Sequence, residues 1–238
     1  MKTAAFCFTL IVSFALLQTT VLPQVQTVDS VLAQMEKSNM NYPYIQAKIE
    51  SRQYTAFVNL LDQQAKTGKI WISRTGKSPR QIKIDYDKPF REVILIDKGK
   101  LLKYAPNTKN GISFSFNKED QAEAECIALG LCQSVDLIKQ NYTITLSDKP
   151  DLVAGVKTTV LDLTPKEKKR SSLIKSIRLW LDSSKWYPVQ TRVYAPNGNY
   201  RNSIFSEISL STKPFSASVF ELKPPKDADI QVIKELKF

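Results

Sequence analysis

The strongest constraint on what this chain can fold into is a long succession of short runs rich in β-branched and aromatic residues, each closed by a turn signal. Six such runs occupy 44–58, 67–73, 80–85, 92–97, 100–104 and 111–116. Five more occupy 142–146, 157–164, 174–182, 187–195 and 200–211. Gly68, Gly76 with Pro79, Pro89, Lys98-Gly99 and Pro106-Asn107 punctuate the first group. In the second, Asn197-Gly198 between Tyr194 and Tyr200 is the strongest hairpin signal, because both central residues of a type I′ turn need positive φ. Asp182–Lys185 marks another hairpin. The pattern predicts about eleven short antiparallel strands and no internal repeat.

Two segments interrupt the strand pattern. Val28, Val31, Leu32 and Met35 recur at helical spacing, with Thr27 as N-cap, Asp29 in the first turn and Pro43 as terminator. The stretch 118–140 holds helix formers and little β-branching, and Ile127, Leu131, Val135 and Ile138 form one apolar stripe. Ordinary core packing accounts for such a stripe, so any function must come from what lies beneath it. Together the elements predict a mainly β (α+β) fold, an open and strongly curved antiparallel half-barrel. Helices from 28–38 and 118–140 would form a lid over its concave apolar face. A sheet with a removable helical cover is a container suited to a long, apolar, bulky ligand.

Composition narrows the chemistry. The chain of 238 residues has no histidine, so Ser–His–Asp and Cys–His machinery is excluded and most zinc sites become improbable. No metal site and no cofactor is expected. A hydrolase would need a histidine-free set such as Ser–Lys or an acid pair. Asp62, Asp85, Asp87 and Asp97 qualify only as carboxylates, with no motif joining them. The net charge of +11 could serve nucleic acid, anionic lipid or an acidic partner, or be a scattered solvated surface. No nucleic-acid-binding module is recognisable, and none is expected. The basic run Lys166–Arg170 reads by default as a solvated hairpin loop.

The N-terminus reads as a targeting segment. Lys2 supplies a basic start, and the uncharged run Ala4–Leu17 suits a signal peptide and is short for a membrane span. Residues 1–23 are assigned as a signal peptide and 24–238 as a single domain. The cleavage signal is poor, since Ser13-Phe14-Ala15 sits too early; cleavage is placed between Thr19 and Thr27. Cys7 precedes most of the apolar run and does not read as a lipid-attachment cysteine. Export leaves Cys126 and Cys132 as a pair in an oxidising compartment. On one straight helix their α-carbons would lie about 9 Å apart, too far for a disulfide, whereas a break at Gly130 would let them meet. A disulfide and two small packed residues are both open readings.

The order of elements resembles the LolA/LolB-like superfamily over nearly all of the exported chain. The pieces are an amphipathic helix, a long first strand, and Gly68–Arg74 running into a basic turn. Tyr86-Asp87-Lys88-Pro89 follows, then Val93–Ile96 and Asp97–Tyr104, a helical insertion, and Phe220–Pro225 with Ala228–Ile230. Ile70, Ile72 and Arg74 share one sheet face, so a lone cation stands on an apolar row. On chemistry alone, a strand-end arginine snorkelling to water explains it. The resemblance implies instead that Arg74 points into the barrel mouth and latches the lid by hydrogen bonds to lid carbonyls. It also implies a cavity lined by Ile70, Ile72, Ile82, Ile84, Ile127, Leu131, Val135 and Ile138.

The strand after Arg74 departs from the family. It carries aliphatics, Ile82 and Ile84, where an aromatic–arginine–aromatic element is frequent. The cysteine pair is not a general family feature either. The implied function is that of a soluble, monomeric periplasmic carrier. It takes acylated lipoproteins from an inner-membrane ATP-driven complex to an outer-membrane acceptor, without catalysis. A carrier of other lipids or glycolipids, or an envelope-stress sensor on the same fold, is the alternative.

Overall fold

The computed structural model describes residues 26–61, 64–75, 78–115, 135–147, 151–167 and 174–233. The cysteine pair, Ile127, Leu131 and residues 1–23 lie outside them. The first helix, α1 (Val28–Asn41), starts as the sequence dictates. The Thr27 side chain accepts from the Ser30 amide at 3.2 Å, and Ser30 Oγ accepts from the Thr27 amide at 3.0 Å, closing a capping box. Val31, Leu32 and Met35 are buried. The second helix, α2 (Val135–Asn141), buries Val135 and Ile138. Lys139 Nζ meets Asp29 Oδ1 at 2.6 Å across the two helices.

Fourteen strands form one sheet. In the first half they are β1 (Tyr44–Thr55), β2 (Leu60–Leu61), β3 (Lys66–Thr75), β4 (Ser78–Lys88), β5 (Glu92–Asp97), β6 (Lys100–Ala105) and β7 (Asn110–Ser115). In the second they are β8 (Tyr142–Leu146), β9 (Asp151–Val153), β10 (Val156–Pro165), β11 (Ser176–Asp182), β12 (Pro188–Tyr194), β13 (Tyr200–Ser211) and β14 (Asp229–Ile233). The order is β14-β7-β6-β5-β4-β3-β1-β13-β12-β11-β10-β8, with β2 beside β1 and β9 beside β10. The sheet is large, open and curved, and antiparallel except where β14 joins β7 in parallel. All eleven expected strands are present. The additional ones are the short β2 and β9 and the edge strand β14.

Two turn expectations change. Gly68 lies inside β3, not between strands, at a register shift where β4 comes close. The hairpin at Asn197-Gly198 forms, but only Gly198 has positive φ. The Gly198 amide donates to the Ala195 carbonyl at 3.1 Å, so the turn runs through Pro196, whose fixed φ suits its first central position. Paired positive φ values occur instead at Lys98-Gly99 and Ala154-Gly155.

The register shows which residues share a face, since directly paired residues of an antiparallel sheet point the same way. One row runs Ile45–Ile72–Ile82–Ile96, and the next Ala47–Ile70–Ile84–Ile94. On the same face Ser51, Ser203, Thr191, Leu179, Leu161 and Leu146 run across the other half. This inner face carries two core clusters. Around Ile70, Ile72, Ile82 and Ile84 pack Ala47, Ile49, Tyr86, Ile96 and Phe205. On the β8–β11 side, α1 and α2 pack over Leu161, Leu163, Ile177, Leu179 and Leu181. The two helices are thus the described part of a helical lid on the inner face. Ser38 Oγ donates to the Lys185 carbonyl at 2.7 Å and ties the end of α1 to the β11–β12 turn.

A Cβ at Gly68 would lie 2.1 Å from the Asp85 carbonyl oxygen and 2.6 Å from Tyr86 Cα, both backbone atoms that cannot rotate away. Gly68→Ala is therefore expected to cost about 1–3 kcal/mol of stability, read from the urea-unfolding midpoint. An unchanged midpoint would contradict the close approach of β3 and β4.

Candidate functional site: an apolar hollow with a buried arginine

The inner face does not close completely. Ile45, Ala47, Ile70, Ile72, Arg74, Tyr187, Pro188, Phe205 and Ile208 line a partly open hollow with about 20 Å³ of enclosed space. β1 and β3 supply one wall through the isoleucine rows. Tyr187 and Pro188 enter from the β11–β12 connection, and Phe205 and Ile208 from β13. A bulge makes the last pair possible. Phe205 and Ile208 are three residues apart, which period-two alternation would put on opposite faces. Between them the β1–β13 register slips, and Glu207 takes φ +48°, so Ile208 turns to the side of Phe205.

Arg74 is the only charged residue in this lining. It sits near the end of β3, where its amide donates to the Pro43 carbonyl at 2.8 Å. Its side chain does not snorkel out, and the residue is only 5 % exposed. Among the described residues neither Nε nor Nη1 has a hydrogen-bond partner, and no carboxylate pairs with the guanidinium. Burial without a counter-charge among the described residues lowers its pKa to about 10, which disfavours the charged form. The sign is that of a base depressed on folding. The penalty is fully present below pH 10 and is relieved only as pH rises toward the unfolded value.

Other polar groups of the inner face bond one another. Ser51 and Ser203 hydroxyls are 3.2 Å apart, and Ser51 also bonds Tyr86. Burial raises the Tyr86 pKa and lowers that of Arg201; the two groups face each other, and their interaction opposes both shifts. Among the described residues no cluster of three His, Cys, Asp or Glu could hold a metal.

The structure thus brings Arg74 together with Ile70 and Ile72 in the hollow. Ile82 and Ile84 are buried behind them in the same cluster rather than in the lining. Val135 and Ile138 lie in the packed core under α1, away from the lining. Ile45 and Ala47 were legible as the alternate positions of β1. Tyr187, Pro188 and Ile208 were not, because a connection and a bulge bring them in.

An open curved antiparallel sheet with helices packed on its inner face defines the architecture of the described residues. The family model described as outer membrane lipoprotein carrier protein LolA matches residues 46–223. The chain belongs to the LolA family. Among solved structures, an uncharacterized conserved protein from Thermus thermophilus is similar at a TM-score of 0.53 and 11% identity, over 87% of this chain and 100% of that one. MucB is similar at a TM-score of 0.50 and 14% identity, over 82% of this chain and 62% of that one. At these identities both show the shared fold. No curated protein matches the chain. No helix among the described residues is long and apolar enough to cross a membrane.

Arg74→Leu removes a buried charge that has no partner among the described residues and adds apolar bulk to an apolar wall. It is expected to fold and to gain about 1–3 kcal/mol in urea unfolding at pH 7. A loss of stability instead would mean that residues outside the described ones hold the guanidinium.

Proposed function

We propose that this chain is a periplasmic carrier that holds the acyl chains of lipoproteins against its inner face and shuttles them from the inner to the outer membrane. The observation that carries the reading is the apolar hollow at the centre of the inner face, in a chain of the LolA family. A long acyl chain in water costs about 0.8 kcal/mol per CH₂, so such cargo cannot cross an aqueous space unaided. The enclosed space of the hollow, about 20 Å³, is room for about one water and far below the roughly 300–1,000 Å³ of ligand pockets. A cargo with several chains therefore needs the lid to move aside. Cargo would arrive from an inner-membrane ATP-driven complex and leave to an outer-membrane acceptor, with no catalysis beyond opening and closing.

In this reading Arg74 is the latch. Its five donors would hold lid carbonyls in the closed state and release them on loading. The lid segment 118–134, which would supply those carbonyls, lies outside the described residues. Support for the latch comes from the position of Arg74 on the wall of the hollow with donors to spare.

Two measurements test this. Mass spectrometry of the protein isolated gently from periplasm is expected to show bound acylated lipoprotein; other lipid alone would favour the lipid- or glycolipid-carrier alternative, and none would favour a sensor. Lipoprotein transfer to acceptor membranes is expected to change in Arg74→Leu and to be intermediate in Arg74→Lys, whose ammonium lacks the planar fork. Equal transfer by all three proteins would remove the latch.

A further inference from the structure

We infer that the hollow selects amphiphiles whose alkyl chain ends in an anionic oxygen group, a carboxylate or a phosphate, with Arg74 as the residue that reads that group. The inference rests on the acyl-carrier reading and adds a specificity to it. Three observations converge. The guanidinium is buried and forms part of the wall of the hollow. Nε and Nη1 have no partner among the described residues, so two guanidinium donors, on different edges of the plane, are open to acceptors. The rest of the lining is apolar apart from the Tyr187 hydroxyl, so nothing else in it can compensate a charge.

A carboxylate or phosphate answers the charge and offers several oxygens to those donors through charge-assisted hydrogen bonds, which a neutral alcohol cannot match. Ile45, Ile70, Ile72 and Phe205 then offer the wall along which the attached chain lies. The unliganded protein carries a desolvated cation; an anionic head neutralises it where water is excluded, so charge recognition and chain burial reinforce each other.

The test uses the full mature chain and three probes with the same sixteen-carbon length: palmitate, palmitoyl lysophosphatidylglycerol and hexadecanol. Each displaces the uncharged dye N-phenyl-1-naphthylamine from wild type, Arg74→Gln, Arg74→Leu and Arg74→Lys. Wild type is expected to prefer palmitate or the lysophospholipid over hexadecanol by roughly tenfold or more, the range of charge-assisted hydrogen bonds. Preference for palmitate identifies a free carboxylate as the source of the anion, and preference for the lysophospholipid a headgroup phosphate. Arg74→Gln and Arg74→Leu are expected to lose the preference for an anionic probe over hexadecanol, with folding checked by circular dichroism. Arg74→Lys is expected to keep part of it. Equal binding of all three probes by wild type, or an undiminished preference in Arg74→Gln, overturns the inference and leaves the carrier reading intact. Binding of no probe by wild type overturns both.

Discussion

Desolvation of a single guanidinium is the constraint on which the functional part of this structure turns. A buried charge without a partner is among the most costly features a folded protein can keep, and among the described residues Arg74 has none, at the edge of an otherwise apolar wall. The surrounding fold has to be rigid enough to hold it there. That rigidity comes from the ladder of β1, β3 and β4, whose paired isoleucines cross three strands in register. Gly68 lets β3 and β4 approach at the far end of the same ladder. The amide of Arg74, bonded to Pro43, anchors the strand end itself. With backbone fixed on both sides, the side chain has little freedom to swing out, and the cost is retained rather than relaxed.

The two halves of the inner face are used differently. Over β8, β10 and β11 the helices complete an ordinary packed core, in which Val31, Leu32, Val135 and Ile138 meet Leu161, Leu179 and Leu181. Over β1 and β3 the wall is left with a hollow. One half holds the described helices in place, and the other offers surface to something else. The split follows from residue choice. The β10–β11 side presents leucines and a valine- and leucine-bearing helix that interdigitate. The β1–β3 side presents shorter side chains such as Ala47 beside isoleucines, which leave space.

Much of this was legible in the sequence, for identifiable reasons. Period-two alternation over 69–74 is uninterrupted, so it correctly set Ile70, Ile72 and Arg74 on one face. The capping residues of α1 act locally and needed no tertiary information. What escaped reading depends on non-local geometry. β2 and β9 are two and three residues long and exist only because a neighbouring strand passes them. β14 lies on β7 in parallel, a pairing across more than a hundred residues that no local pattern encodes. Tyr187 and Ile208 reach the hollow through a connection and a bulge, and a one-residue insertion into a strand inverts every face assignment beyond it. Arg74 could be placed on its face from sequence, but not its solvation. A strand-end arginine snorkels by default, and only the walls from β12 and β13 close that route.

The same enclosure bears on how a container can be both stable and willing to open. An apolar wall with no polar group would gain most by collapsing or by binding any oil, and it would give no signal when occupied. Placing one desolvated cation in the wall changes the balance. Desolvation disfavours the charged form in the empty state, so an oxygen acceptor that reaches the guanidinium relieves a cost that purely apolar contact cannot. Under the latch and ligand readings proposed above, a lid carbonyl and a ligand oxygen would draw on that same relief, each charge-assisted hydrogen bond being worth about 1.5–3 kcal/mol. A charged ligand oxygen answers the cation as a carbonyl dipole does not, which would favour loading.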